Sequence, residues 1–222
     1  IQVSALSRNG EGAKSTIVQA KTLPFIPSAA PQAVTGQPVS KSSITVTWKE
    51  PPVDTHNGEL EGYRIFFRKN DSDLTDSDAS VIKVGKDARK LMLGNLSIWT
   101  DYKIWVLAFT SVGEGPASPP IIVRTQEDVP GEPKQLKVEN VNSTTIYVDW
   151  RPPVARKRNG IIRGYYVYYI PLDDKENPKG QEKVYDTKDG NTVSAVITEL
   201  EPNTMYRITV AGYTRKGDGS RS

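Results

Sequence analysis

The residues able to do chemistry are few. His56, with Asp54 two positions before it, is the only imidazole in 222 residues, and there is no cysteine. That excludes disulfides, thiolate nucleophiles and cysteine-ligated zinc. It also confines any catalytic triad to one place, and no serine stands in a G-x-S-x-G setting to complete it. His56 is therefore expected as a solvent-exposed loop residue and the chain as non-catalytic, with no cofactor and no metal. NDSDLTDSDAS places Asp71, Asp73, Asp76 and Asp78 close together, but positions six and twelve counted from Asp71 hold Asp76 and Ile82, not the glycine and glutamate of a calcium loop. An acidic loop with its charges in water is the expectation.

Other residue types point to modification and binding. Three N-x-S/T sequons stand at Asn70, Asn95 and Asn142, none with proline in the middle. In a secreted chain they are glycan acceptors. Asn95 precedes Leu96, an expected core residue, and is the least open of the three. RPPVARKRNG brings Arg156, Lys157 and Arg158 together, a charge pattern that suits a sulfated glycosaminoglycan as well as plain solvation. Lys216-Gly217-Asp218 is a loop tip whose glycine the turn alone explains. The formal net charge is only +3, with no strong field for nucleic acid or a membrane surface. No apolar run approaches the ~20 residues of a membrane helix.

The elements that position these residues are set by a repeat. IQVSALSRNGEGAKSTIVQAKT opens the chain, IWVLAFTSVGEGPASPPIIVRT follows from Ile104, and ITVAGYTRKGDGSRS from Ile208. Trp48 recurs as Trp150, Pro51-Pro52 as Pro152-Pro153, Asn57-Gly58 as Asn159-Gly160, Gly62-Tyr63 as Gly164-Tyr165, Leu96 as Leu200 and Tyr102 as Tyr206. The proline-bearing stretches Leu23–Ser28 and Glu127–Pro133 separate the copies. Residues 1–22 then read as the closing hairpin of one unit, 23–128 as a complete unit and 129–222 as a unit lacking its last strand. SSITVTW and STTIYVDW alternate apolar and polar residues, as half-buried strands do, and no helical period survives. The fold class expected is all-β, tandem immunoglobulin-like sandwiches.

The ordered set Trp48, Pro51-Pro52, Gly62-Tyr63, Leu96, Tyr102 and GEGPAS resembles the fibronectin type III domain over the whole chain. EDVPGEP and YTRKGDGSRS resemble the type III arrays of LAR-type receptor tyrosine phosphatases, and sidekick and DSCAM-type adhesion proteins carry similar linkers. The resemblance implies tryptophan-centred cores and tyrosine corners at Tyr102 and Tyr206. It further implies the extracellular part of a plasma-membrane receptor or adhesion molecule, a spacer that meets other cell-surface or matrix proteins. A secreted matrix protein of the same modules is the alternative. A parent phosphatase would keep its catalysis in a cytoplasmic part.

Strand parity adds one surface. With Tyr102, Ile104, Val106 and Ala108 inward, Trp105, Leu107 and Phe109 face outward, and on the neighbouring strand so do Arg64, Phe66 and Arg68. Trp105 is expected to stack with Arg64 or Arg68 as a cation–π ladder, and these residues form a candidate contact patch. Thr209 replaces Trp105 in the following unit, so the patch is expected only once.

Overall fold

The computed structural model describes residues 1–222. A hairpin comes first, β1 (Ser4–Ser7) and β2 (Gly10–Lys14). Module 1 follows with β3 (Gln32–Ser40), β4 (Ser43–Lys49), β5 (Leu60–Lys69), β6 (Ser80–Gly85), β7 (Lys90–Leu93), β8 (Asp101–Thr110) and β9 (Ile121–Arg124). Module 2 holds β10 (Lys134–Asn142), β11 (Thr145–Arg151), β12 (Gly164–Pro171), β13 (Lys183–Asp186), β14 (Ser194–Ile197), β15 (Tyr206–Thr214) and β16 (Gly217–Asp218). Each module is two antiparallel sheets face to face. In module 1 they run β3-β4-β7 and β6-β5-β8-β9; in module 2, β10-β11-β14 and β13-β12-β15-β16.

Alternation decides which residues meet between the sheets. In β4, Ile44, Val46 and Trp48 are buried between less buried neighbours, and β11 repeats the pattern with Ile146, Val148 and Trp150. Trp48 (3% exposed) and Trp150 (2%) sit in the two cores. Each leans against the tyrosine after the module's glycine, Tyr63 at 5.5 Å between ring centres and Tyr165 at 5.3 Å. Such tilted aromatic pairs anchor a sandwich that has no disulfide.

The loop before β8 closes each core. Asn95 (φ +57°) and Glu199 (φ +60°) turn the chain in the left-handed region, delivering Leu96 and Leu200 inward. The Ser97 N–H then donates to the Tyr102 hydroxyl at 2.9 Å, and the Glu201 N–H to the Tyr206 hydroxyl at 3.0 Å. These are the tyrosine corners expected from the resemblance.

Two pairings differ from the sequence reading. The loop after Trp48 ties His56 Nε2 to the Pro51 carbonyl at 2.8 Å, and the loop after Trp150 ties Arg158 Nε to the Pro153 carbonyl at 3.1 Å. Pro51 therefore corresponds to Pro153, one place beyond the match by dipeptide. His56 is half-buried and fixed to backbone rather than free in solvent. A carbonyl only accepts, so Nε2 carries the proton.

At the far end, the Ser222 N–H reaches Val210 O as the Ser118 N–H reaches Val106 O in module 1. In module 1, β9 lies beyond that point and pairs with Tyr102 and Ile104.

Candidate interaction surfaces

The outer face of the β6-β5-β8-β9 sheet brings the parity-assigned residues of module 1 together. Phe66 stands opposite Trp105, Arg64 opposite Leu107 and Arg68 opposite Lys103. Trp105 is half-buried and lies outside the core cluster. Its partner is Phe66, with rings 5.5 Å apart and 5° from parallel, and Lys103 approaches at 5.3 Å. The expected ladder of Trp105 with Arg64 or Arg68 does not form, because both arginines have stronger partners. Arg68 Nε holds Asp76 at 3.0 Å, and Arg64 pairs with Glu114. Charge-assisted pairs of this kind outcompete a cation over a ring.

Phe109 faces outward but is only 5% exposed. Lys83 covers its ring at 4.6 Å and Arg64 at 5.7 Å, while its edge lies over Gly62. Leu107 is also buried. Of the expected patch, Phe66 and Trp105 offer an apolar plate, framed by Lys103 and Arg68 on the shared carboxylate of Asp76. That double pairing holds the Asp76 carboxyl below the usual aspartate range, through hydrogen bonds from Lys103 and then Arg68. The other acidic-loop residues also have local duties: Asp78 closes a turn on Thr75, and Asp71 accepts the Asp73 N–H.

Module 2 carries an aromatic face of its own that sequence reasoning missed. Tyr166 stacks on Tyr213 at 4.6 Å, Tyr213 donates to Asp186 at 3.1 Å and Tyr168 to Asp218 at 3.2 Å, and Arg221 lies 3.5 Å above the Tyr168 ring. The signal was present in YYVYYI, where Tyr166 and Tyr168 alternate with inward Tyr165 and Val167. Asp218 is thus engaged, and so is Lys216, whose Nζ reaches Gln126 Oε1 at 3.4 Å; the Lys-Gly-Asp tip is not free.

The joint between the modules has no slack. The Gln126 N–H donates to Ser40 O at 3.1 Å and its carboxamide to Pro38 O at 3.0 Å, both in module 1. Two residues on, Asp128 belongs to module 2. Its N–H donates to Asn159 O at 2.8 Å, and its carbonyl accepts from Thr214 Oγ1 at 2.9 Å. The Asp128 carboxylate nevertheless turns back to module 1, where Lys41 Nζ meets it at 2.7 Å. The Lys41 hydrogen bond is the main cause that holds the Asp128 carboxyl below the usual aspartate range, with the charge of Lys216 adding to it. Between them Glu127 is buried over Gly160, and its carboxylate accepts the Ile161 N–H at 3.2 Å.

The sequons lie apart from both faces. Asn70, Asn95 and Asn142 are all exposed. Asn142 Oδ1 accepts the Thr144 N–H at 2.9 Å and its hydroxyl at 3.2 Å, whereas Ser97 of the Asn95 sequon is clamped by Tyr102. Arg156, Lys157 and Arg158 ring the turn after Pro153, all exposed and none in an ion pair.

Two cysteine-free sandwiches, each with a buried tryptophan, a tyrosine corner and a short joint, define a tandem-module class. The fibronectin type III domain family matches residues 29–124 and 131–222, and the chain belongs to that family. It is 42% identical over its whole length to the tyrosine-protein phosphatase Lar of Drosophila melanogaster, of which it covers 11%. It is 40% identical to the receptor-type tyrosine-protein phosphatase F of Bos taurus, over all of this chain and 12% of that one. With human protein sidekick-1 it shares 34% identity over 99% of this chain and 10% of that one. The chain thus spans about a tenth of the length of the relatives it matches.

Proposed function

We propose that this chain is an extracellular spacer in a cell-surface receptor or adhesion molecule, holding neighbouring modules at a fixed angle and presenting their sheet faces to other cell-surface or matrix proteins. The relatives, receptor-type phosphatases and sidekick-1, support the receptor reading over the secreted-matrix alternative. Any phosphatase activity of a parent belongs outside these residues, and an assay of this chain with a phosphotyrosine peptide stays blank.

The observation that carries the spacer role is the cross-stitched joint. Gln126 is tied by its backbone to module 1 and by its side chain to both modules; Asp128 is tied by its backbone to module 2 and by its side chain to module 1. A flexible tether would leave such residues to water. The chain has no cysteine, so Met92→Cys and Val196→Cys, both at exposed positions, accept a spin label in each module without background. The expected result is one narrow inter-label distance, broadened by Gln126→Gly with Asp128→Gly. A native distribution as broad as that of the variant overturns the fixed joint.

The stacked Phe66–Trp105 plate is the proposed protein contact on module 1. Its loss is expected to abolish partner capture while leaving the sandwich folded, because neither ring belongs to the core cluster.

A further inference from the structure

We propose that two basic loops flanking the linker of module 2 form a binding site for a sulfated polysaccharide chain; the choice of ligand rests on the extracellular reading above. The first loop, between β11 and β12, carries Arg156, Lys157 and Arg158. The second, the turn between β15 and β16, carries Arg215 and Lys216. The linker brings them to the same end of the module. The Gly131 N–H donates to Lys157 O at 2.8 Å, the Ser220 N–H donates to Pro130 O at 3.1 Å, and Thr214, next to Arg215, holds Asp128 O. The two loops therefore stand on either side of residues 128–131.

Module 1 is an internal control for what these cations do. Its matching loop forms the same one-turn 3-10 segment, Val53–Thr55 against Ala155–Lys157, and ties to the same proline carbonyl, through His56 in place of Arg158. Its matching hairpin turn anchors Thr110 to Phe25 O as Thr214 is anchored to Asp128 O. Yet the residues standing where module 2 has Arg156, Lys157, Arg158, Arg215 and Lys216 are Asp54, Thr55, His56, Ser111 and Val112. The scaffold folds identically with no lysine or arginine at any of the five positions, so folding does not account for the cations.

Their electrostatic surroundings point the same way. None of the five is in a salt bridge. Two carboxylates on the linker side are salt-bridged to other lysines, Asp128 to Lys41 and Glu132 to Lys134, while Glu127 accepts the Ile161 N–H and Asp218 the Tyr168 hydroxyl. Arg158 spends Nε on Pro153 and keeps its terminal nitrogens free; only Lys216 leans on a neighbour, the uncharged Gln126 carboxamide. Five positive charges outside any salt bridge at one end of a module, on a chain whose net charge is only +3, make a local field for an anionic chain. The loops hold no aromatic ring on which nucleic-acid bases stack.

Heparin-agarose chromatography of the whole chain tests this. Two graft variants carry module 1's own residues, Arg156→Asp with Lys157→Thr and Arg158→His in one, Arg215→Ser with Lys216→Val in the other. The native chain is expected to stay bound above physiological ionic strength, ~0.15 M. The first graft is expected to lower heparin affinity about tenfold, the sum of three exposed charge contacts. Both grafts together are expected to remove retention, with the thermal transition unchanged. Elution of the native chain at or below physiological salt, grafts without effect, equal binding to desulfated heparin, or stronger binding to phosphatidylserine vesicles than to heparin each overturns the proposal.

Discussion

Phe109 lies across Gly62. A methyl group built on Gly62 would meet the Phe109 ring at 3.0 Å and the Val84 carbonyl oxygen at 2.1 Å. Module 2 repeats the relation with Tyr213 over Gly164, where the added carbon would meet the tyrosine hydroxyl at 2.3 Å. The glycine that marks each repeat in the sequence is thus a seat for an aromatic ring on the outside of the sheet, next to the tyrosine that packs inside.

Substitution at the two seats separates ring from backbone. Gly62→Ala is expected to cost about 1–3 kcal/mol, the usual range for forced overpacking, and Phe109→Ala does not relieve it because the Val84 carbonyl remains. Gly164→Ala is expected to be partly rescued by Tyr213→Ala, since the three nearest atoms all belong to that ring. Urea unfolding of the four single variants and two pairs reads this directly.

The tyrosine corners are unequal. Tyr102 is 5% exposed, whereas Tyr206 is half-buried and the Glu201 it serves is exposed. Removing the hydroxyl leaves a backbone N–H without its acceptor, a loss of about 1–3 kcal/mol where water cannot replace it. Tyr102→Phe is expected to destabilise its module by more than Tyr206→Phe does, measured as the shift in denaturant midpoint of each transition.

Alkaline pH should act on the tyrosine face. Desolvation, with the Asp186 carboxylate adding to it, pushes the Tyr213 phenol up to about 12 from 10.0. A folded value above the unfolded one means the folded state holds the proton more tightly. The associated stability is complete below pH 10 and is lost as pH rises toward 12. Tyr213→Phe is expected to flatten that part of the stability profile, followed by phenolate absorbance and circular dichroism together. An unchanged slope would remove Tyr213 from the account.

Acid should loosen the joint before the modules. The Lys41 hydrogen bond holds Asp128 below its ordinary 3.8. This contribution is present above that value and fades as pH falls through the lowered one. The inter-label distance proposed above is expected to broaden in that window, while Asp128→Asn gives the broad distribution at every pH. Salt should have a similar effect, since Lys41 is half exposed.

Much of this architecture was legible because half-buried strands write their burial in alternate residues. Ile44, Val46 and Trp48 could be assigned inward from spacing alone, and so could Tyr102, Ile104, Val106 and Ala108. Parity gives a side of the sheet, however, and not what covers that side. Phe109 was assigned outward and is nonetheless buried, because Arg64 and Lys83 lie over its ring; Leu107, assigned outward too, is also buried. The partner of Trp105 was missed for a related reason: Arg64 and Arg68 were available in the strand, but Glu114 and Asp76, from later turns, claimed them. His56 and Arg158 do the same job with different chemistry, so no residue match betrays it. The burial of Glu127 depends on Gly160, more than thirty positions away.

The two halves of the joint between the modules are written in different letters. Toward the module that follows, the bonds are mostly main-chain and recur: Phe25 to Asn57 and Thr110 repeats as Asp128 to Asn159 and Thr214. Toward the module that precedes, the work falls to side chains, Gln126 reaching back to Pro38 and Asp128 to Lys41. Curvature along a string of such units can therefore drift through a couple of surface substitutions, while every sandwich keeps its interior untouched.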